Sequence, residues 1–386
     1  MAMSTIHHRR SYELSGSTTA MALLAALAVL CPPPTGTAFG QSYTVTDLGV
    51  LPGGTVSNGW GVNENGDAVG VCDSAVPGQT VGWLWVGGTL TDLGSLGGIL
   101  TQPTTINSAR QIAGVALSAG LNSRAFLWQL GILTDLGTLG GTDALAWSIN
   151  DAGAVVGQAK TAADPVNYHA FLWQGGSMTD LGMLPGGAGS VAFGLNAAGD
   201  IAGMSGVAGG NSHACLWIGG VITDLGTLGG SSGSAKAINS SRQVVGQSKI
   251  AGGNDHAFLW TLAGGMTDLG TFGGPFSSAL DINNDGQVVG AADLAGGGGR
   301  AFIWDADHGM RNLNDLIDPE ANWVLLEAVN ITDAGQIVGT GTHNGQTRAY
   351  LLTPITGPTC CCGMAGLPGL ALLALGLGLL KVRRCV

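Results

Sequence analysis

Charge is scarce in this chain. Of 386 residues only 14 are Lys or Arg and 25 are Asp or Glu, while 45% are hydrophobic, a balance that excludes a disordered polyelectrolyte. Cysteine is nearly missing from the interior: of seven, only Cys72 and Cys215 lie between residues 41 and 355. No disulfide framework staples that stretch, so apolar burial has to stabilise it. Helical periodicity is missing as well. No segment between residues 43 and 355 repeats its apolar residues every 3.6 positions, which leaves an all-β body. Long apolar runs occur only at the two ends of the chain.

At the start, His7, His8, Arg9 and Arg10 precede an unbroken apolar run from Met21 to Leu30, with small residues at Ala38 and Gly40. This reads as a secretory signal over residues 1–40. A lipoprotein signal at Cys31 is the competitor, but Leu30 is large where such a site needs a small residue. At the other end, residues 363–380 are uncharged and mostly apolar, and Lys381, Arg383 and Arg384 follow. Eighteen residues is the short limit for a membrane-spanning helix, and the basic cluster would stay on the cytoplasmic side. Residues 356–362 then form a linker carrying Cys360, Cys361 and Cys362. Without the ends the body keeps nine basic and 24 acidic residues, a formal net charge of −15. That field repels phosphate backbones and argues against nucleic acid as a partner.

What is present is glycine, 68 residues of it, and a repeat. Asp-Leu-Gly starts at Asp47, Asp92, Asp135, Asp180, Asp224 and Asp268, at steps of 43 to 45, and a degraded Asn312-Leu313-Asn314 follows. Three further markers keep step. An aliphatic residue precedes Asn63, Asn107, Asn150, Asn196, Asn239 and Asn283, with Thr332 in the last copy. Gly70, Gly114, Gly157, Gly203, Gly246, Gly290 and Gly339 close a second segment. Trp85, Trp128, Trp173, Trp217, Trp260 and Trp304 mark a third, with Leu352 in seventh place. A period of this length means a solenoid, an array or a propeller. Short β-rich runs divided by Gly and Asn turns make each copy four antiparallel strands, as in residues 235–239, 244–248, 256–260 and 266–270.

The count selects among these architectures. The body opens with a fourth-type strand at residues 43–49 and ends with a third-type strand at residues 348–353. The orphans complete each other, which predicts a seven-bladed β-propeller of four-stranded blades over residues 41–355, closed by the N-terminal strand and followed by a C-terminal hydrophobic helix. Six- or eight-bladed rings and an open solenoid are the alternatives, though a solenoid has no reason for such a permutation.

His169-Ala-Phe-Leu-Trp173 and His256-Ala-Phe-Leu-Trp260, each followed by Thr-Asp-Leu-Gly, resemble the HAF-repeat extracellular proteins of bacteria. The likeness covers residues 43–355 and implies export, repetition and a β architecture, with no established catalytic activity. The last 27 residues resemble C-terminal sorting signals of the PEP-CTERM type, and MYXO-CTERM signals more closely. Cysteines stand there in place of Pro-Glu-Pro, and the likeness implies processing by a membrane-sorting protease.

Most polar markers have structural explanations. The residue before the Ala-aromatic pair is Val81, Arg124, His169, His213, His256, Arg300 or Arg348. In the hairpin at Gly175-Gly176, His169 falls within diagonal reach of Asp180, so a charge-assisted pair is expected there rather than a cationic ligand ring. The recurring Asn caps its own turn, and the recurring Trp residues are core between repeats. Asp281, Asn283, Asp285 and Gly286 spell the opening of a calcium loop, but Ala292 stands where the bidentate Glu belongs, so a hairpin turn is expected. Gly229-x-Ser231-x-Gly233 spells a hydrolase elbow, placed in a Gly-rich crossing with no helix to follow it. No catalytic residue, metal site or cofactor is assigned, and the ligand is unknown. The densest acidic cluster, Asp305, Asp307, His308, Asp315, Asp318 and Glu320, sits in the last copy. The expectation is an exported, surface-attached or released binding, adhesion or envelope-scaffold protein whose partner is an envelope or extracellular protein or glycan, and not an enzyme. The alternative is a glycan hydrolase or lyase using Asp315 and Glu320 at a channel mouth.

Overall fold

The computed structural model describes residues 42–355. The expected signal segment, the cysteine-bearing linker and the apolar tail lie outside the described residues. Among those described, no helix is long and apolar enough to cross a membrane.

All regular structure in the described residues is β except two 3₁₀ turns, Leu313–Leu316 and Pro319–Ala321. The 28 strands form five four-stranded sheets and one eight-stranded sheet. The larger sheet is two four-stranded meanders joined by a single parallel pairing, Thr80 with Leu100. Strand Tyr43–Asp47 lies antiparallel to Gln346–Pro354, with Val45 opposite Leu352 and Asp47 opposite Tyr350. The first strand of the body therefore completes the last sheet, as the orphan-strand argument expects.

The sequence markers explain the sheet geometry. In Asp-Leu-Gly, the Asp side chain accepts a hydrogen bond from the Gly two residues on, at 2.8 Å in all six copies. The Gly takes positive φ, between 71° and 82°, and turns the chain out of the outer strand. The Leu between them is buried in five of the six copies, Leu48, Leu93, Leu136, Leu225 and Leu269.

The second-strand glycine has a different task. A Cβ at any of Gly70, Gly114, Gly157, Gly203, Gly246, Gly290 or Gly339 would lie 1.9 to 2.2 Å from a carbonyl oxygen of the first strand. Only glycine admits that close approach. It also leaves room for Phe126, Phe171, Phe258, Phe302 and Tyr350, which pair with this glycine from the third strand and are fully buried. Each contributes about 2 kcal/mol through burial.

Apolar side chains gather in clusters between successive sheets. One joins Ala154, Val156 and Ala170 to Leu184, Ile201, Cys215 and Trp217. Another joins Val338, Ala349 and Leu351 of the last sheet to Val62, Ala68 and Trp83 of the first meander. Each recurring Trp belongs to such a cluster, as expected. Cys72 and Cys215 are free, buried and in different sheets.

Candidate functional site

The first strand of every sheet carries an irregularity at the same place. In Gly229–Ile238, Ala235 pairs with Gly246 and Ala237 with Val245, so Lys236 is an extra residue facing no partner. The same shift isolates Trp60, Thr104, Trp147, Phe193, Leu280 and Val329 in the other six strands. Such a β-bulge bends its strand and re-aims one side chain. All seven bulge residues line one cavity of about 310 Å³. The recurring second-strand glycine lies directly across from the bulge, so the close approach it permits is what lets the inner strand buckle.

Around this cavity the frame repeats and the lining does not. Three consecutive bulge positions make one wall: Trp147 packs on Phe193 with ring centroids 5.8 Å apart, and Lys236 Nζ sits 3.9 Å from the Phe193 centroid. That contact is a cation–π interaction. Burial depresses the Lys236 pKa, and among the described residues no carboxylate lies within ion-pair distance of its ammonium. Leu280 and Val329 add plain apolar groups to the lining. The indole N–H groups of Trp60 and Trp147 are shielded from water and find no acceptor.

Asp281 also lines the cavity. Its Oδ2 accepts from Asn330 Nδ2 at 2.5 Å and from the Ile331 amide at 2.9 Å. Burial pushes its pKa up to about 7 against the pull of those hydrogen bonds, and the Asp333 charge adds to the rise. The calcium-loop resemblance thus resolves into a hairpin turn, with Gly286 N bonded to Asn283 O and Asn283 N to Gln287 O. No cluster of metal-ligating side chains occurs among the described residues.

One end of the cavity is rimmed by the recurring Asn. Its side-chain oxygen accepts from its own turn, as Asn63 Oδ1 does from Asn65 and Asp67. The expected turn role is therefore present, but the residue with positive φ is three positions later: Gly66, Arg110, Gly153, Gly199, Arg242, Gly286 or Gly335. The side-chain amide does something the sequence reading missed. Asn63 donates to the carbonyl of Asn107, Asn107 to Asn150, Asn150 to Asn196, Asn196 to Asn239, Asn239 to Asn283 and Asn283 to Thr332, at 3.0 to 3.2 Å. Thr332 has no amide to continue the chain. The gap is spanned instead by Asp333 N donating to Glu64 Oε1 and Val62 N to Asn330 Oδ1, both 2.9 Å. The circuit of hydrogen bonds returns to its start. Where Arg110 and Arg242 replace the left-handed glycine, each pairs with a buried Asp of the preceding copy, Asp67 or Asp200, at 2.7 and 2.8 Å.

The outer hairpins bear out the charge-pair expectation. His169 meets Asp180 at 2.7 Å, and His213 and His256 meet Asp224 and Asp268 at 2.8 Å. Arg124 and Arg348 approach Asp135 and Asp47 at 3.6 and 3.9 Å, and His343 adds a 2.9 Å contact to Asp47. Arg300, whose partner position has become Asn312, bonds the Gly299 carbonyl instead. Five of the six cations thus meet an Asp of their own sheet, and Arg300 alone does not.

The acidic cluster of the last copy lines neither the cavity nor its rim. Asp305 is held below the usual carboxylate range by His308 and Arg311, at 2.7 and 2.6 Å. Asp318 caps the second 3₁₀ turn by accepting from Glu320 N. Asp315 and Glu320, the carboxylates of the alternative reading, are thus not among the residues lining this cavity or its Asn rim. Gly229, Ser231 and Gly233 belong to an inner strand rather than to a crossing loop, and no helix follows. A second cavity, about 440 Å³, lies at the edges of two neighbouring sheets around Tyr168, Ser190 and Asn211, and no charged side chain lines it.

No protein-family profile matches the chain, and no curated protein does. Solved structures do match in fold. A puromycin hydrolase aligns with a TM-score of 0.51 at 13% identity over 76% of this chain and 50% of its own. A puromycin-hydrolyzing peptidase of Mycobacterium tuberculosis gives 0.50 at 14%, over 78% and 52%. The β-propeller domain of the Trilobed protease from Pyrococcus furiosus gives 0.45 at 11%, over 70% and 86%. The chain spans about half the length of the two puromycin-hydrolysing enzymes. Its four-stranded antiparallel sheets, the first strand completing the last, have the architecture of a β-propeller.

Proposed function

We propose that the chain is an exported seven-bladed β-propeller that binds an extracellular or envelope ligand in its axial cavity. Either surface-attached or released, it serves adhesion or envelope scaffolding. The seven blades are the five four-stranded sheets and the two meanders of the eight-stranded sheet, which share only the Thr80 to Leu100 pairing. The Asn circuit and the core cluster between last and first sheets support closure of that ring. The proposed export and sorting rest on the terminal sequences and the HAF-repeat resemblance.

One observation carries the binding reading: seven bulges aim side chains of six different types, Trp60, Thr104, Trp147, Phe193, Lys236, Leu280 and Val329, into one cavity while the frame around them repeats. A purely structural axis would be filled by one residue type repeated. Aromatic walls with a few polar groups are the usual lining of a small-ligand site. Titrating an extracellular glycan and metabolite panel against the purified residues 41–355, read by tryptophan fluorescence, tests this. Binding that the triple variant Trp60→Ala, Trp147→Ala, Phe193→Ala abolishes, with folding intact by circular dichroism, is the expected result. Binding that survives in the triple variant moves the site elsewhere.

A further inference from the structure

Lys236 is the one charged bulge residue, and the other six bulge positions are uncharged. Its ammonium lies against the Phe193 face inside the cavity, and among the described residues no carboxylate lies within ion-pair distance of it. A desolvated charge without a partner is strongly unfavourable, and a cation–π contact recovers only part of the lost hydration. The one acidic residue of the cavity lining, Asp281, is already engaged through Oδ2 by Asn330 and Ile331. On the same wall the indole N–H of Trp147 also finds no acceptor. All of these point one way: the wall lacks an anion.

We infer that the axial cavity takes a small ring-bearing carboxylic acid, its carboxylate on Lys236 Nζ and its ring against Trp147 and Phe193. This rests on the axial-binding reading above and names its ligand chemistry. A cavity of about 310 Å³ suits a molecule of about ten to fifteen non-hydrogen atoms. An aromatic acid and a uronic acid share the required chemistry, a flat apolar face and one carboxylate. The rim carries Glu64, Asp151 and Asp333 without a basic residue among its lining. These carboxylates are occupied by backbone amides: Glu64 accepts from Asp333, Asp151 from Ser108, and Asp333 from Asn284. They still set an unfavourable entry field for an anion. Screening of that exposed field outweighs screening of the enclosed ion pair, so added salt strengthens binding instead of weakening it.

The test uses two matched triplets, phenylacetate with 2-phenylethanol and phenethylammonium, and glucuronate with glucose and glucosamine. Each is titrated into residues 41–355, wild type and Lys236→Met, by tryptophan fluorescence and ligand-observed NMR. In at least one triplet the acid is expected to bind tenfold or more tighter than its neutral and cationic partners. Lys236→Met removes that preference, leaves the neutral analogue unchanged, and Lys236→Arg restores part of it. The triplet that responds identifies the ligand source. If the neutral or cationic member binds as well as the acid, or Lys236→Met leaves the acid untouched, the carboxylate inference falls while axial binding stands. If no member of either triplet binds, both fall.

Discussion

The outer hairpin and the inner strand of each sheet are built from the same repeat, yet they vary in opposite ways. Outside, chemistry recurs: Asp180, Asp224 and Asp268 each hold a histidine and cap their own turn. Inside, the bulge position is Trp, Thr, Trp, Phe, Lys, Leu and Val in turn, although its backbone pairing shift is the same every time. Recurrence marks what the frame needs, and variation on a fixed backbone marks what the frame is used for.

The sharpest break of this comparison is at the point where frame and axis meet. Gly246→Ala puts a Cβ about 2.0 Å from Ser234 O, and relief requires moving the inner strand. A loss of about 3 kcal/mol or more is expected, read as a fall in denaturation midpoint. Lys236→Met, on that inner strand but aimed at the cavity, removes an unpaired desolvated charge and should hold or raise stability, by about 1 kcal/mol.

Asp281 is the axial residue that also belongs to the frame, and pH separates its two roles. Its folded pKa, about 7, lies above the usual unfolded value, so folding takes up a proton between these limits. Stability is therefore fullest below about pH 4, falls as pH rises through 7 and then levels off. Asp281→Asn keeps an oxygen to accept from both Asn330 and Ile331. It should match wild type near pH 4 and exceed it at pH 8 by a few kcal/mol, about 4 at most. Equal pH profiles for the two proteins would remove Asp281 from this account.

The smallest effect belongs to the outer hairpin. His256→Ala deletes a contact whose Asp268 side chain is 39% exposed, so the expected loss is under about 1 kcal/mol. Ligand binding should be unaffected. A larger loss would mean that the recurring histidines tie neighbouring repeats together.

Much of the frame was legible. Strand order, the pairing of residues 43–47 with the last strand, the His169 to Asp180 contact and the Trp positions follow from spacing and alternation, because local rules fix them. The bulge did not follow. Whether two residues face one partner depends on the strand alongside, and neither strand alone records it. For the same reason Gly229–Ile238 runs six residues further toward the N-terminus than its Ala235–Asn239 expectation, as the preceding Gly-Gly reads locally as loop. A faint signal did exist: three residues before each recurring Asn is a position that keeps no chemistry across copies, and that position is the cavity wall. The Asn circuit was hidden because its acceptor is a backbone carbonyl some 43 to 49 residues away. Acidic density does not record place: Asp315 and Glu320 stand on two 3₁₀ turns and are not part of the cavity lining.

The antiparallel pairing of Tyr43–Asp47 with Gln346–Pro354 joins segments about three hundred residues apart. During synthesis the earliest-made strand has no partner until the latest is finished, so the wheel latches only once the whole body is available. Until that moment Gln346–Pro354 offers a bare edge that a second molecule's Tyr43–Asp47 fits equally well. Crowded, freshly made chains should thus trade their leading strands, and dilution during refolding should favour the self-latched form.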